Sequence, residues 1–223
     1  MDAPNTIRLY NFSGTRFGLE NVKMRRLKIS RLMQLNDPFE MAGVDFATKE
    51  LRYSFQKLKE YYADHLGLIC FSRSYKNPVQ WAHYAEQHKG GCLGFDVQSS
   101  LCSSVEYVQE RLYLRAFAGQ DEMDLPKLLA ALWRTKFSHW SYEEEVRLML
   151  MLDKFSPEGD FYFHPMDGRL RLRQVIVGCE SKFSRSQVYD ALGAECDDVE
   201  VFKVRPAFKT FKIVRNRNSQ LWK

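Results

Sequence analysis

An acidic run that leads straight into an apolar stretch is the feature of this sequence that most constrains its fold. Residues 140–152 read WSYEEEVRLMLML, and the closing apolar residues predict a buried β-strand. Strand side chains alternate, so Glu143 and Glu145 are expected on one face and Glu144 on the other, towards solvent. Carboxylates about 7 Å apart on one face repel each other unless a cation lies beside them. Arg147, next on that face, is the expected partner, and a solvated strand end with one ion pair is the simplest interpretation.

Length and composition indicate a globular protein. The chain has 223 residues, 45% hydrophobic and 14% aromatic, which is enough to bury a substantial core. No repeat, low-complexity segment or long linker interrupts it, so we expect a single domain over residues 1–223. No apolar run approaches the roughly 20 residues of a membrane span, and residues 1–5 lack a signal pattern. The five cysteines include no CxxC pair. We therefore expect a cytoplasmic protein with no membrane partner.

The net charge of +5 is concentrated in two basic segments, residues 23–31 and 203–217. Such segments favour anionic partners, whether a dinucleotide, RNA or DNA, although a charge this modest does not establish nucleic-acid binding. Phenylalanines alternate with basic residues between positions 201 and 212. This alternation is compatible with base stacking plus phosphate contacts. A half-buried strand with one solvated face is the simpler interpretation and the one preferred here.

Hydrophobic patterning predicts strands and helices that do not alternate strictly, which favours an α+β domain with a mixed sheet and flanking helices. Besides the acidic strand, strands are expected at residues 7–12, 27–32, 67–72, 92–96, 173–178, 199–204 and 211–215. Helices are expected at residues 17–26, 44–65, 78–88, 125–138 and 184–192. Residues 105–114 fit either structure.

Known motifs for metals and phosphates are missing from the sequence. His83 and His88 lie five positions apart, about 140° around a helix, which is poor geometry for chelation. There is neither an HExxH motif nor a Cys/His set at zinc spacing, so no metal is predicted. Walker A, GxGxxG and GxSxG motifs are also missing. A satisfied interior histidine at position 83 and a helix C-terminal cation at 88 are the simpler interpretations, with His83 and Tyr84 as pocket residues the alternative.

An ordered set of short motifs resembles a large bacterial family of unassigned function. The motifs are LYxF at 9–12, NDPFE at 36–40, CFS at 70–72, WxHYxxxHxG at 81–90, GFD at 94–96 and WxYExExR at 140–147. The resemblance covers about residues 7–178. Members of that family are similar to proteins described as abortive-infection or phage-defence components, which by itself says little about chemistry.

The same series resembles the ADP-ribosyltransferase fold, a split mixed sheet that holds NAD in a cleft. That fold carries a His or Arg on its first strand, a Ser or Tyr on a middle strand and a Glu on a late strand, in one subgroup as Glu-x-Glu. The resemblance implies that residues 7–12 form the first strand, that Ser72 is the second element and that Glu145 is the third. It also places the Asn-Asp-Pro loop at residues 36–38 near the nicotinamide site.

The resemblance implies an NAD-dependent ADP-ribosyltransferase of the toxin or phage-defence effector kind, with NAD as substrate, no metal and an unidentified protein or nucleic-acid acceptor. Glu145 would be the catalytic carboxylate and Glu143 its assistant. The implied NAD-binding residues are Tyr10, Asn11, Ser72, Trp81, His83 and Tyr84, with Tyr84 or Trp81 supplying a ring beside the nicotinamide.

The first strand departs from the pattern of the resembled fold. Similar first strands often read Leu-Tyr-His-Tyr, where the histidine contacts the NAD ribose, and here Asn11 takes that position. An asparagine can still hydrogen-bond a ribose hydroxyl. The alternative hypothesis is a non-catalytic or nucleic-acid-directed defence module that binds a nucleotide signal or RNA in the same cleft.

Overall fold

Ten β-strands hydrogen-bond into one mixed sheet that forms the body of the protein. The computed structural model describes residues 5–119, 122–218, 220 and 222, without the side chains of 195–197. The strands of the described chain are β1 (Thr6–Ser13), β2 (Arg26–Arg31), β3 (Val44–Asp45), β4 (Leu66–Ser72), β5 (Gly91–Gln98), β6 (Cys102–Ser104), β7 (Glu106–Val108), β8 (Leu112–Tyr113), β9 (Thr135–Phe137), β10 (Glu145–Met151), β11 (Tyr162–Pro165), β12 (Leu170–Val177), β13 (Glu200–Pro206) and β14 (Ile213–Arg215).

The strands of the main sheet follow the order β11-β2-β4-β1-β5-β12-β13-β14, and β10 pairs with β4 and β6. β12 and β13 run parallel, and the other pairings of this sheet are antiparallel. Two small pairs stand apart from it, β3 with β8 and β7 with β9. The expected mixed sheet is therefore confirmed, in a single-domain α/β fold.

Polar caps mark the start of four of the helices. The helices are α1 (Thr15–Lys23), α2 (Lys49–His65), α3 (Pro78–Tyr84), α4 (Leu125–Arg134) and α5 (Arg185–Leu192). The side chains of Thr48, Asn77, Asp124 and Ser184 each accept a backbone N–H from the first turn that follows. Such caps satisfy donors that the helix itself leaves unpaired, so they fix where α2 to α5 begin.

Several boundaries differ from the sequence prediction for local reasons. The helix expected to reach His88 ends at Tyr84, because Glu86, Gln87 and His88 adopt left-handed φ angles of 48°, 54° and 68°. The helix expected to reach residue 138 ends at Arg134, because residues 135–137 pair with β7 as β9. The helix expected from residue 44 begins at residue 49, because β3 pairs with β8. β11 had no sequence prediction.

The apolar core lies on both faces of the sheet. Leu68 belongs to a cluster with α2 and α4, whereas its neighbour Ile69 belongs to a cluster with α1 and α5. Consecutive residues of β4 thus point into opposite cores, which explains why the strand reads as an unbroken apolar run. A third cluster packs α3 against β13 and β14. No helix of the described residues is both long and apolar enough to cross a membrane.

The sheet divides at one edge of β4. β10 pairs with β4 along its whole length, from Glu145↔Ser72 to Met151↔Leu66. The opposite edge of β4 is shared, because β2 pairs with it at residues 67–68 and β1 pairs with it at Ser72. β1 and β2 therefore lie on the same edge of β4 at different heights, and the cleft described below opens between them.

Candidate functional site

A cavity of about 660 Å³ opens where β1 and β2 separate. This volume lies within the range of about 300–1,000 Å³ that is usual for small-molecule sites. Its walls combine strand residues, residues of α3 and the acidic run. The lining residues used below are Tyr10, Asn11, Lys28, Asn36, Glu40, Ser72, Gln80, His83, Tyr84, Lys136, Trp140, Glu143 and Glu145.

Tyr10, Ser72 and Glu145 lie side by side on three adjacent strands, β1, β4 and β10. Tyr10 on β1 pairs with Ser72 on β4, and Ser72 pairs in turn with Glu145 on β10. Directly paired residues lie side by side across a sheet. Tyr10, rather than Asn11, is level with Ser72. The Asn11 amide donates to the Cys70 carbonyl at 3.0 Å, so this side chain links β1 to β4. Asn11 also lines the cavity.

Behind the cavity lies a buried network of three carboxylates and two cations. Arg147 donates to both oxygens of Glu145, at 2.8 and 3.0 Å, and to both oxygens of Glu40, at 2.9 and 2.7 Å. Its remaining bond goes to the Trp133 carbonyl at 3.0 Å. Arg147 is 2% exposed, and these contacts use all five N–H donors of a guanidinium. The guanidinium therefore holds the Glu145 carboxylate in a fixed orientation.

Lys136 is the cation that links the two carboxylates of the acidic run. Its Nζ lies 2.7 Å from Glu143 Oε2, 3.3 Å from Glu145 Oε2 and 3.6 Å from Glu40 Oε1. All four side chains are buried. Burial opposes the charge of Lys136, but Glu145, Glu143 and Glu40 together raise its pKa. Three carboxylates face two cations, so the network carries a formal charge of −1 when every group is ionised.

The two carboxylates of the run have oppositely shifted pKa values. Burial favours the neutral form of Glu145, but Arg147 and Lys136 override it and lower the pKa of Glu145 to about 2. Burial dominates at Glu143 and raises its pKa despite the contact with Lys136. A neighbouring pair of carboxyl groups shifted apart in this way is the arrangement that separates a permanent charge from a proton-exchanging group.

Tyr84 connects Glu143 to the opposite wall of the cavity. Its hydroxyl donates to Glu143 Oε1 and accepts a bond from the Asn36 amide at 2.7 Å. Burial, followed by the charge of Glu143, raises the pKa of Tyr84. The phenol therefore stays protonated and donates to the carboxylate.

Gln80 organises the floor of the site, a role that the sequence did not reveal. Its amide nitrogen lies 3.0 Å from Ser72 Oγ and 2.8 Å from the carbonyl oxygens of both Tyr142 and Glu143. The Ser72 hydroxyl itself donates to the Ser74 carbonyl at 3.0 Å. Ser72 is thus held by internal hydrogen bonds, and a ligand would have to displace one of them to use its proton.

An aromatic wall lies beside the carboxylates of the acidic run. His83 Nδ1 lies 2.9 Å from the Tyr142 hydroxyl, and the two rings are 5.9 Å apart. Trp140 packs 6.1 Å from the Tyr142 ring, and Lys136 Nζ lies 4.8 Å from the centre of its indole. His83 and Trp140 line the cavity. The wall offers flat π surfaces to a ring-bearing ligand.

Trp81 was expected in the cleft as an NAD-binding residue, but it does not line the cavity. The structure places its ring in the core, fully buried, with Nε1 donating to the Tyr75 carbonyl at 2.6 Å. It packs edge-on against Phe12 at 5.3 Å instead of lining the cavity. Helix geometry explains the difference, because one residue turns the side chain by about 100°. Gln80, His83 and Tyr84 of α3 face the cavity, whereas Trp81 faces the cluster with β13 and β14.

The expectation that Glu143 and Glu145 share a face of one strand is also corrected. Glu143 ends a 3-10 helix (Ser138–Glu143), Glu144 adopts φ 46°, and β10 begins at Glu145. The left-handed residue turns the chain so that Glu143 and Glu145 both reach Lys136. Arg147 is the ion-pair partner of Glu145, as expected, but in place of Glu143 its second partner is Glu40.

Lys136, Glu40 and Asn36 were missed as site residues. Residues 36 and 40 belong to the NDPFE motif, so a signal was present, and both residues line the cavity. Lys136 gave no signal, because the apolar periodicity of residues 125–138 predicted a helix at its position. In the part of the chain that the structure describes, no group of three or more His, Cys, Asp or Glu residues is placed to hold a metal ion.

The first basic segment, residues 23–31, is largely occupied by internal contacts. Arg26 pairs with Glu20 and Glu158, and Arg31 pairs with Asp64. Lys28 differs, because it lines the cavity and contacts the rings of Phe17 and Phe161 at 5.6 and 4.8 Å. Burial, followed by the nearby charge of Arg16, lowers the pKa of Lys28. It is the residue of this segment that can meet an anionic ligand in the cleft.

Comparison with known proteins relates part of the chain to a protein family. A family model described as "Protein of unknown function (DUF2971)" matches residues 80–148. That segment carries Gln80, His83, Tyr84, Lys136 and the acidic run, whereas the polar lining residues of β1, β2, β4 and the 36–40 loop lie outside it. No curated protein and no solved structure matches the chain.

Proposed function

We propose that the cleft binds NAD and that the protein cleaves the nicotinamide–ribose bond, transferring ADP-ribose to an acceptor. The observation that carries this proposal is the row of Tyr10, Ser72 and Glu145 on three adjacent strands at the cleft, beside a second carboxylate, Glu143. The oppositely shifted pKa values of Glu145 and Glu143 support a division of roles between the two carboxylates.

The proposed reaction separates charge at the ribose. The C1′–N1 bond breaks, its electron pair leaves with nicotinamide, and positive charge develops on the ribose. Glu145, ionised at neutral pH and oriented by Arg147 and Lys136, stabilises that charge without reorganising. A lone pair of the acceptor then bonds to C1′, and its proton passes to Glu143. A base with a raised pKa suits this step, because it lies closer to the operating pH.

The remaining walls fit the other parts of a dinucleotide. The rings of His83 and Trp140 provide a stacking surface for a flat heterocycle. Lys28, at the opposite wall on β2, provides a positive charge for phosphate. In this arrangement the nicotinamide end lies towards α3 and the acidic run, and the pyrophosphate lies towards β2.

A second candidate is a non-catalytic module that binds a nucleotide signal or RNA in the same cleft. The internal hydrogen bonds of Asn11 and Ser72 favour it, because both side chains already have protein partners. Under this alternative the buried charge network supports the fold of the cleft and takes no part in a reaction.

The test is nicotinamide release and label transfer from NAD in the presence of cell extract. We expect activity from the wild type and a loss of about 10²-fold or more in Glu145→Gln, the magnitude typical of a removed electrostatic contact. Glu144→Gln is the matched control, since this neighbouring carboxylate is exposed and should be dispensable. A wild type that neither releases nicotinamide nor transfers label contradicts the enzyme proposal. Calorimetric binding of NAD without turnover would then favour the second candidate.

A further inference from the structure

The turn between β13 and β14 exposes two phenylalanines. Residues 207–212 read AFKTFK, and the side chains of Phe208 and Phe211 are 90% and 99% exposed. Phenylalanine is usually among the most buried residue types, so two such rings at one turn need an explanation. The Ala207 N–H donates to the Lys212 carbonyl at 2.9 Å and closes the turn. Both rings are therefore presented from one hairpin tip, defined here as residues 207–212.

Positive charge surrounds these rings. Residues 201–217 contain six Lys or Arg residues and no Asp or Glu. The Arg205 guanidinium lies over the Phe208 ring at 4.1 Å, and Lys209 and Lys212 are exposed beside the two rings. The sequence prediction of a half-buried strand holds for β13, with Phe202 and Val204 buried, but it does not extend to residues 207–212.

A basic groove continues from the base of the same hairpin. It has a volume of about 410 Å³, and its lining includes Arg185, Lys203, Arg215 and Arg217. Lys203 donates to the Ser181 carbonyl, and Arg215 pairs with Glu200. Arg185 lies over the Trp222 ring at 5.2 Å. The groove therefore supplies cationic side chains next to the hairpin, whereas its aromatic residues, Phe202 and Trp222, are buried.

We propose that single-stranded nucleic acid binds this hairpin, with bases stacked on Phe208 and Phe211 and phosphates contacting Lys209, Lys212 and the basic groove. Exposed rings interleaved with cations are the combination that single-strand binding uses, because every base offers a π face and every linkage a negative charge. The rings belong to a surface outside the cleft, so the proposal does not depend on NAD chemistry.

The arrangement of charges favours a nucleic acid over a lipid bilayer. Lys209 lies between the two rings in the sequence, and Arg205 covers one face of Phe208. Inserting the rings into hydrocarbon would draw both cations towards it, which is costly. The groove lies at the base of the hairpin, away from the tip. A flexible polyanion can contact both places, whereas the tip alone would meet a flat membrane.

Fluorescence anisotropy of the full chain with labelled poly(U) and poly(dT) oligonucleotides of about 20 nucleotides tests the proposal. This length exceeds the usual single-strand sites of about 4–16 nucleotides. We expect binding that weakens steeply between about 50 and 200 mM salt. Phe208→Ala/Phe211→Ala should weaken it more than about 20-fold, since each stacked base is lost separately. Lys209→Ala/Lys212→Ala should lower the slope of the logarithm of the binding constant against the logarithm of salt concentration by about 2, because each lysine contacts about one phosphate.

Tyr53→Ala is the matched control, because Tyr53 is an exposed aromatic residue on α2, far along the chain from the hairpin. It should bind oligonucleotides as the wild type does, and thermal melting should show all variants folded. Unchanged binding by the double phenylalanine variant overturns the proposal. So does failure of the wild type to bind either oligonucleotide at low salt. Phenylalanine-dependent binding to phosphatidylserine vesicles without oligonucleotide binding would replace nucleic acid with a membrane surface.

Discussion

Glu143 and Glu145 lie two positions apart, yet their hydrogen-bond partners differ and their pKa values shift in opposite directions. Glu145 receives two bonds from Arg147 and one from Lys136, all to its ionised form. Glu143 receives one bond from Lys136 and one from the neutral Tyr84 hydroxyl. The pKa of Glu145 falls to about 2 as a result, whereas the pKa of Glu143 rises above its ordinary value. Because of this difference, each carboxylate should make the free energy of unfolding depend on pH in its own way.

Glu145→Gln should destabilise the protein most near neutral pH. A lowered pKa means that the stabilising contribution is present above the ordinary value of 4.5 and is lost as the pH falls towards about 2. The shift corresponds to a contribution of about 3 kcal/mol at pH 7, at about 1.4 kcal/mol per pKa unit. Glutamine resembles protonated glutamate in shape, so wild type and variant should converge in acid. Urea unfolding at a series of pH values measures the difference.

Glu143→Gln should change the free energy of unfolding in the opposite direction. A raised pKa means that the ionised form of Glu143 opposes folding, and this cost appears as the pH rises through the raised pKa. Relative to wild type, Glu143→Gln should therefore gain stability from acid to neutral pH, where Glu145→Gln loses it. Glu60→Gln serves as a surface control, since its partner Lys57 is exposed. Parallel pH curves for the two buried-site variants would refute the assignment.

At the level of elements, the turn after α3 fixes the position of the cavity wall. Glu86, Gln87 and His88 take successive left-handed conformations, and the turn is closed by backbone bonds such as His88 N–H to the Trp81 carbonyl at 3.2 Å. Gly90 follows and lies against the end of β1. The turn therefore ties α3, which carries Gln80, His83 and Tyr84, to the start of β5.

Gly90→Ala should be strongly destabilising. A Cβ at this position would lie 2.1 Å from the Ser13 carbonyl oxygen and 2.9 Å from the Gly14 Cα, and both contacts are with backbone. Relieving them requires β1 and β5 to separate, so we expect a cost of more than about 2 kcal/mol. Gly168→Ala is the control, because nothing lies within 4 Å of its added Cβ. Chemical denaturation of both variants gives the comparison, and equal midpoints would contradict this packing.

Sequence patterning located elements better than it located contacts. The apolar run at residues 67–72 correctly indicated a buried strand, because burial on both faces leaves an unbroken apolar signature. The run at residues 148–152 correctly indicated a strand, but Met149 and Met151 are exposed, so the end of β10 is not buried on both faces as expected. The convergence of Glu143 and Glu145 on Lys136 was not predictable in the same way. It depends on the left-handed Glu144 and on β9, and the pairing of β9 with β7 involves residues nearly 30 positions apart. Non-local pairings of this kind leave no periodicity in a single sequence.

Across the whole molecule, positive charge is divided between two regions with different surroundings. Lys28 lies on β2 and lines the cleft, whereas Lys212 lies exposed at the hairpin tip. The net charge of +5 indicated an anionic partner but could not separate these regions. Substituting either lysine by alanine changes the net charge equally. Any difference between the two variants therefore reports on location and not on overall charge.

NAD should raise the thermal unfolding midpoint of the wild type, because a ligand that binds only the folded state stabilises it by mass action. At about 100 times the dissociation constant the gain is about 2.7 kcal/mol, or roughly 5–10 °C for a chain of this size. Lys28→Ala should reduce the NAD-induced shift by removing the charge placed for phosphate, whereas Lys212→Ala should retain it. ADP-ribose should reproduce most of the shift and nicotinamide little of it. If neither NAD nor ADP-ribose changes the midpoint at millimolar concentration, or if Lys212→Ala abolishes the shift while Lys28→Ala keeps it, the cleft is not the dinucleotide site.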